Sequence, residues 1–256
     1  MALEWFGKRV SEALERLRSL RPEEVVVVHH DDADGLCSGA VVKAVLERMG
    51  YRSKLVCLEK LFPKAVELLH SGEGKTIFYC DIGSPHADMI SEVNKGRNLT
   101  IILDHHDPVP TEDPSVLDLN LEHAGLKGEE EFSGATCCYL FAREVDEANK
   151  DLSYLALVGS CEIPAGFRGL NAEVLEEALR GGVVEKVGRK LVIKKFGMGV
   201  RELFSMLQVL GPVGYYRGGP ELGVRTALEG PTAEVRELVK KLEEERKAVN
   251  LSLIHI

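Results

Sequence analysis

The chain is short of positive charge: 32 Lys and Arg stand against 41 Asp and Glu, a formal net charge of −9. Coating of nucleic acid or an anionic membrane through global charge is thereby excluded, and any polyanion must be drawn in locally. Long apolar runs are lacking too. The stretch at 25 to 28 falls far below the ~20 residues that span a bilayer, and the amphipathic, Glu-bearing start is unlike a signal peptide, so the expected location is cytoplasmic. None of the six cysteines (Cys37, Cys57, Cys80, Cys137, Cys138 and Cys161) belongs to a CxxC pair. A chain of 256 residues, 45% hydrophobic and 29% charged, builds its core without disulfide staples, so the cysteines read as reduced and mostly buried. Gln occurs once, at Gln208, beside abundant Glu, Lys and Arg, a bias of heat-adapted proteins. Internal repeats and low-complexity segments are absent, which leaves a globular protein of one large domain with a small appendage.

Apolar positions Leu3, Phe6, Val10, Leu14 and Leu17 recur at three and four residues, so residues 2 to 19 are predicted as an amphipathic helix docked on the domain. The β-branched run at 25 to 28 suits a strand covered on both faces, as in a parallel sheet. A helix over 36 to 49, a strand at 53 to 57, a helix at 63 to 70, a strand at 76 to 80, a helix near 85 to 95 and a strand at 99 to 103 follow. This alternation predicts an α/β fold with a doubly wound, mainly parallel sheet. After a Pro-rich loop at 107 to 114 come an edge strand at 116 to 120 and three helices, over 133 to 147 with Ser133 as cap, 152 to 160, and 171 to 180. The expected organisation is a site-bearing domain over 1 to 185, a basic, loop-rich extension over 186 to 230, and a linker-like amphipathic helix over 231 to 256.

Three clusters of acids and histidines follow three of the buried strands directly: HHDDADG, DIGS and DHHD. Strand carboxyl ends of an open parallel sheet share one edge, and ligands bind in the crevice outside it. His29, His30, Asp31, Asp32, Asp34, Asp81, Asp104, His105, His106 and Asp107 are therefore expected together. So many carboxylates repel one another unless cations bind between them. Oxygen ligands mixed with imidazole, without Cys, suit Mn²⁺ or Mg²⁺ in near-octahedral coordination rather than structural zinc. Two ions bridged by a shared carboxylate would use the whole set, an arrangement that clamps the attacking and leaving oxygens of a phosphoryl ester. His29 reads as packed behind the site, and Asp31 and Asp107 as supporting or solvated.

These motifs resemble the DHH phosphoesterase superfamily, named for the Asp-His-His here at Asp104, His105 and His106, and within it the archaeal RecJ-like nucleases. The resemblance extends through His30 to Gly35, Asp81 to Ser84, Asn120 and Ser133 to Ala135, and covers most of the chain to about residue 180. It implies one Mn²⁺ on His30, Asp32 and Asp81, and a second on Asp34, Asp81 and His105 plus an acid from a fourth motif. Asp81 would bridge, Asp104 would orient His105, and His106 would contact the scissile phosphate. The fourth motif departs from the family: its Asp falls at Ile163, which makes neighbouring Glu162 the expected substitute. The usual glycine-rich C-terminal domain is also missing after the linker-like helix, so the chain is expected to be a fragment or a reduced relative, cut at 253 to 256.

The function implied is a Mn²⁺-dependent phosphodiesterase that hydrolyses single-stranded DNA or RNA from an end, in replication or repair. Two alternatives stay open: a phosphoesterase for oligonucleotides, cyclic dinucleotides or pyrophosphate, and a non-catalytic RecJ-like module that binds the replisome or a helicase. Attraction for a strand is expected from residues 186 to 225, where eight Lys and Arg face only Glu202 and Glu221. Lys190, Lys194, Lys195 and Arg201 are candidate strand contacts there, with Tyr215 and Tyr216 stacking bases beside Arg217. Bound ions would add positive charge in the crevice, so the acidic balance reads as a metal-dependent gate on phosphate. Digestion polarity, sugar preference and oligomeric state do not follow from the sequence.

Overall fold

The computed structural model describes residues 1–254, with side chains through 247; His255 and Ile256, part of the expected cut end, lie outside the described residues. The first helix, α1 (Ala2–Leu20), lays Phe6, Val10, Leu14 and Leu17 on the core, with Ala13 in the place of the exposed Leu3. β1 (Glu24–His29), α2 (Ala33–Arg48), β2 (Arg52–Cys57), α3 (Pro63–Leu69), β3 (Thr76–Cys80), α4 (Ala87–Asn94), β4 (Leu99–Leu103) and β5 (Val116–Asp118) follow. The five strands form one parallel sheet in the order β2-β1-β3-β4-β5. Every residue of β3 and β4 is buried, which is why both read as continuous apolar runs rather than as alternations.

The pleat sends alternate side chains to two cores. Val25, Val27, Phe78, Ile101 and Leu103 pack beneath α1 and α2, whereas Val28, Ile77, Tyr79 and Ile102 pack beneath α3 and α4. Because α2 and α4 leave on opposite faces, the winding reverses between β1 and β3. That reversal opens a crevice at the strands' carboxyl ends, the doubly wound arrangement expected. α5 (Gly134–Val145), α6 (Ser153–Gly159) and α7 (Gly169–Arg180) complete the layer over α2.

Residues 186 to 230 are not loop-rich, contrary to expectation. β6 (Val184–Val187), β7 (Lys190–Ile193) and β8 (Met198–Gly199) form an antiparallel sheet, followed by α8 (Val200–Leu210) and α9 (Gly219–Glu229). The glycines that read as coil mark turns between short elements. The apolar residues between them, among them Ile193, Leu203, Leu207 and Val224, join the same core as the sheet's first face. Pro220 opens α9 in the first turn, where a missing N–H costs nothing. α10 (Ala233–Ile254) buries Val235, Val239 and Leu242, as its spacing predicts. Among the described residues no helix is long and apolar enough to cross a membrane, and all six cysteines are free.

Candidate metal centre

The site is assembled from helix starts as much as from strand ends. Asp32 caps α2, its Oδ1 accepting from Gly35 N at 2.8 Å, and Asp34 lies in the first turn, where the partial positive charge of the helix favours carboxylates. Asp34 also reaches the start of α5, accepting from Gly134 N at 2.9 Å and Ala135 N at 2.8 Å. Ser133 caps that helix through Thr136 N. Asp81, directly after β3, sits in the left-handed region at φ 60, with its N–H donating to Leu103 O at 2.8 Å. A non-glycine residue held there is a local strain that the surrounding contacts must offset.

Two glycines let backbone approach the acids. A Cβ on Gly134 would run into the Asp81 carboxylate, and one on Gly159 into Asp34 Oδ1. His30 Nδ1 lies 2.5 Å from Asp32 Oδ2 and 3.9 Å from Asp81 Oδ2. His105 Nε2 lies 3.2 Å from Asp81 Oδ1 and 3.7 Å from Asp34 Oδ2. Ligand atoms converge within 4.8 Å in two sets, one of His30, Asp32 and Asp81, the other of Asp81, Asp104, His105 and His106. Asp81 belongs to both, and among the described residues its buried Oδ1 makes no hydrogen bond, although His105 Nε2 stands 3.2 Å away. A buried carboxylate oxygen left without a hydrogen bond fits a cation.

Titration points the same way. Burial, reinforced by Asp34 and Asp32, pushes the Asp81 carboxyl far above its ordinary range, and burial also raises Asp34. Burial opposes charge on His30, yet its bond to Asp32, with Asp81 and Asp31 nearby, lifts it to about 10. His106 is lifted to about 9 by its bond to Asp104 against the effect of burial. Protons thus gather where the cluster needs positive charge, and a divalent ion would displace them.

Asp104 corrects one expectation. Its carboxylate does not hold the His105 ring; Oδ1 accepts from His106 Nδ1 at 2.7 Å and Oδ2 from Ser84 N at 2.9 Å. The Asp104-His105-His106 turn folds back so that the second imidazole, two residues on, reaches the carboxylate. Asn120 fixes the same turn by donating to His106 O at 2.7 Å. Asp118, at the carboxyl end of β5 and without a role evident in the sequence, accepts from Ser84 Oγ at 3.0 Å and so supports Asp104 through Ser84. Its position at a strand's carboxyl end was the available signal. His29 is packed as expected, bonded through Nδ1 to His30 O and held down to about 4 by burial. Asp31 is buried 3.5 Å from His30 Nε2, and Asp107 is exposed.

Glu162 stands at the crevice wall, outside both converging sets, and accepts from Gln208 Nε2 at 2.9 Å. Desolvation, with Asp32 and Asp34 nearby, pushes it up to about 7. Ile163 is buried. The candidate strand contacts divide. Tyr215 is tethered through its hydroxyl to Cys57 O at 2.9 Å, and Arg217 is ion-paired with Glu245 at 2.9 Å in an exposed pair. Tyr216 is 96% exposed, its ring 5.2 Å from that of Tyr215. It borders a cavity of about 490 Å³ together with His30, Asp32, Lys60 and Pro212. Lys195 donates to Leu228 O and Lys194 is exposed, while Lys190 and Arg201 line a separate cavity beside Cys161.

Comparison with known proteins finds a match of residues 24–160 to the DHH family, N-terminal domain. An uncharacterised protein of Methanocaldococcus jannaschii is 35% identical over 139 residues, 52% of this chain and 31% of that protein. The fold superposes on the Mn²⁺ complex of RecJ from Thermus thermophilus with a TM-score of 0.69 at 19% identity, over 98% of this chain and 39% of that one. A manganese-bound exonuclease RecJ gives 0.66 at 19% identity, over 98% and 68% of the two chains. CDC45 from Entamoeba histolytica gives 0.54 at 11% identity, over 98% and 58%. These matches thus cover well under half of the Methanocaldococcus and Thermus proteins. At such identities the structural likeness establishes the fold.

Proposed function

The chain belongs to the DHH family, and from that premise we propose that it is a divalent-cation-dependent phosphodiesterase that hydrolyses single-stranded nucleic acid from an end, a RecJ-like exonuclease of replication or repair. The observation that carries this reading is Asp81, common to both ligand sets, whose buried Oδ1 makes no hydrogen bond among the described residues. The RecJ structures of like fold hold Mn²⁺ or Mg²⁺, and Mn²⁺ is the proposed metal. His30, Asp32 and Asp81 would hold one ion; Asp34, Asp81 and His105 would hold a second, with Glu162 as a further ligand. Such ions lower the pKa of water to supply a nucleophile and offset charge on the phosphate.

The chain's own part follows from His106 and Asp104. Asp104, fixed by Ser84 N and the His105 N–H, holds His106 by Nδ1 and keeps its ring protonated near neutral pH. The opposite N–H of that half-buried ring is then free to donate to a nonbridging phosphate oxygen as charge develops there. Lys190, Lys194, Lys195 and Arg201 would guide the strand, and Tyr216 would stack a base at the crevice mouth, with Tyr215 and Arg217 holding its turn. The proposed location is cytoplasmic, with a replication or helicase protein as partner.

Degradation of a labelled single strand with and without Mn²⁺, by wild type and Asp81→Ala, tests the assignment. Metal-independent cleavage, or an unaffected Asp81→Ala, overturns it. A second reading, a non-catalytic RecJ-like module that binds the replisome or a helicase, is favoured by one observation: Ile163 is buried where the family resemblance expects an acid, and Glu162 is tied to Gln208. Binding of Mn²⁺ without turnover on any phosphodiester would select that reading.

A further inference from the structure

A cavity of about 710 Å³ opens beside Cys161, lined by Arg189, Lys190 and Arg201 together with Phe167 and Cys161 and by none of the crevice acids. Its volume is that of a nucleotide-sized site. Among the described residues none of the three cations meets a carboxylate, and the acid on the same wall, Glu202, is paired with Arg236 on α10 at 3.1 Å. The cavity also faces the start of α8. Gly199 caps that helix without a side-chain bond, and Gly199, Val200, Arg201 and Glu202 lie on the cavity wall. Three unpaired cations and a helix start without a side-chain cap favour an anion, and Phe167 offers an apolar surface beside it.

The cavity is joined mechanically to the crevice. Arg201 and Gln208 lie seven residues apart on one face of α8, about 10 Å along its axis. Gln208 grips Glu162 beside Asp32 and Asp34, and Arg201 stands in the cavity next to Cys161. An anion at Arg201 would thus sit about two turns along α8 from the Gln208 contact with Glu162, so an extended strand could engage both ends of that helix face, which a single small phosphoester does not reach.

We propose that the Arg189-Lys190-Arg201 cavity is a second phosphate site that grips a single strand away from the scissile phosphate, and so makes strands better ligands than dinucleotides. This rests on the phosphodiesterase reading for its purpose but not for its test. Fluorescence anisotropy of a labelled long single strand in EDTA reads binding without turnover. Arg201→Ala and Arg189→Ala should each weaken binding by roughly tenfold. Removing both cations should lower the slope of log affinity against log salt by roughly 1.4, and Arg201→Lys should keep most of the affinity. Lys8→Ala, on α1 and paired with Glu4, controls for the loss of one positive charge anywhere. Unchanged affinity and slope in the cavity variants, or equal losses in Lys8→Ala, overturn the proposal. If strand binding falls as expected while wild type hydrolyses nothing with Mn²⁺, the phosphodiesterase reading fails and the cavity stands. Persistent hydrolysis with unchanged strand affinity removes the cavity alone.

Discussion

In the proposed reading the acidic crevice and the basic cavity both address an anion, but they are built on opposite principles. In the crevice, Asp34, Asp81 and Asp104 are buried and crowded, and the structure tolerates them through helix starts, backbone donors and protons. In the cavity, Arg189, Lys190 and Arg201 sit at the surface, where water solvates them and salt screens them. Buried like charges are costly individually and worth much once a divalent ion joins them, whereas exposed cations cost little and each contributes little. On that reading, chemistry is the proposed task of the first arrangement and affinity for a long chain that of the second.

The comparison breaks most visibly at Asp81. Asp81→Ala removes a ligand from both sets, and steady-state assays should show Mn²⁺-dependent turnover reduced by about a thousandfold or more, with calorimetry showing loss of at least one bound Mn²⁺. Next in size is the stabilisation by metal. At about a hundred times its dissociation constant, Mn²⁺ should add about 2.7 kcal/mol per site, a rise in melting temperature of about 5–10 °C by scanning calorimetry. Its sign with pH follows from His30, whose proton the ion must displace. With His30 lifted to about 10, Mn²⁺ affinity should increase as pH rises from neutrality toward that value. Without metal the trend reverses: the contribution of protonated His30 is complete below its ordinary 6.5 and is lost as pH rises through about 10. A melting temperature of the metal-free protein that climbs over that range would contradict this assignment.

Gly134→Ala and Gly159→Ala alter the crevice without removing a ligand. Each new methyl group displaces a carboxylate, Asp81 or Asp34, and titration should find metal affinity lower by about 10–100-fold. Tyr216→Ala should raise the KM for a single strand by about tenfold, from the loss of one stacking surface, with kcat little changed and Tyr216→Phe retaining the wild-type value. The smallest effect is expected at Arg217. Its exposed pair with Glu245 is worth about 0–1 kcal/mol, so Arg217→Ala should lower the melting temperature by no more than a few degrees. A loss of strand affinity larger than that of Tyr216→Ala would move the strand path onto Arg217.

Much of the crevice is legible in the sequence. HHDDADG, DIGS and DHHD each follow an apolar run, and strand ends in a parallel sheet have one edge to share, so convergence followed from local pattern plus one topological rule. Asp104 was misread because the sequence shows that it adjoins His105 but not that the turn brings His106 Nδ1 to its oxygen. Asp118 was overlooked because its role depends on Ser84, thirty-four residues earlier in the chain. The stretch after Gly182 was misread for a different reason. Its strands are two to four residues long, too short for periodicity to register, and they become regular only by pairing with each other and packing on α8.

Sequence alone determined the parallel sheet, the edge that carries the acids, and the oxygen and imidazole character of the site, because these rest on apolar runs, helix caps and residue chemistry that act within a few positions. Only the tertiary structure decided which of those groups meet. It singled out Asp81 as common to both ligand sets, tied Tyr215 and Arg217 down while leaving Tyr216 exposed, and gathered Arg189, Lys190 and Arg201 around one cavity. These outcomes turn on contacts between residues far apart in the chain, and packing of the whole fold sets those distances.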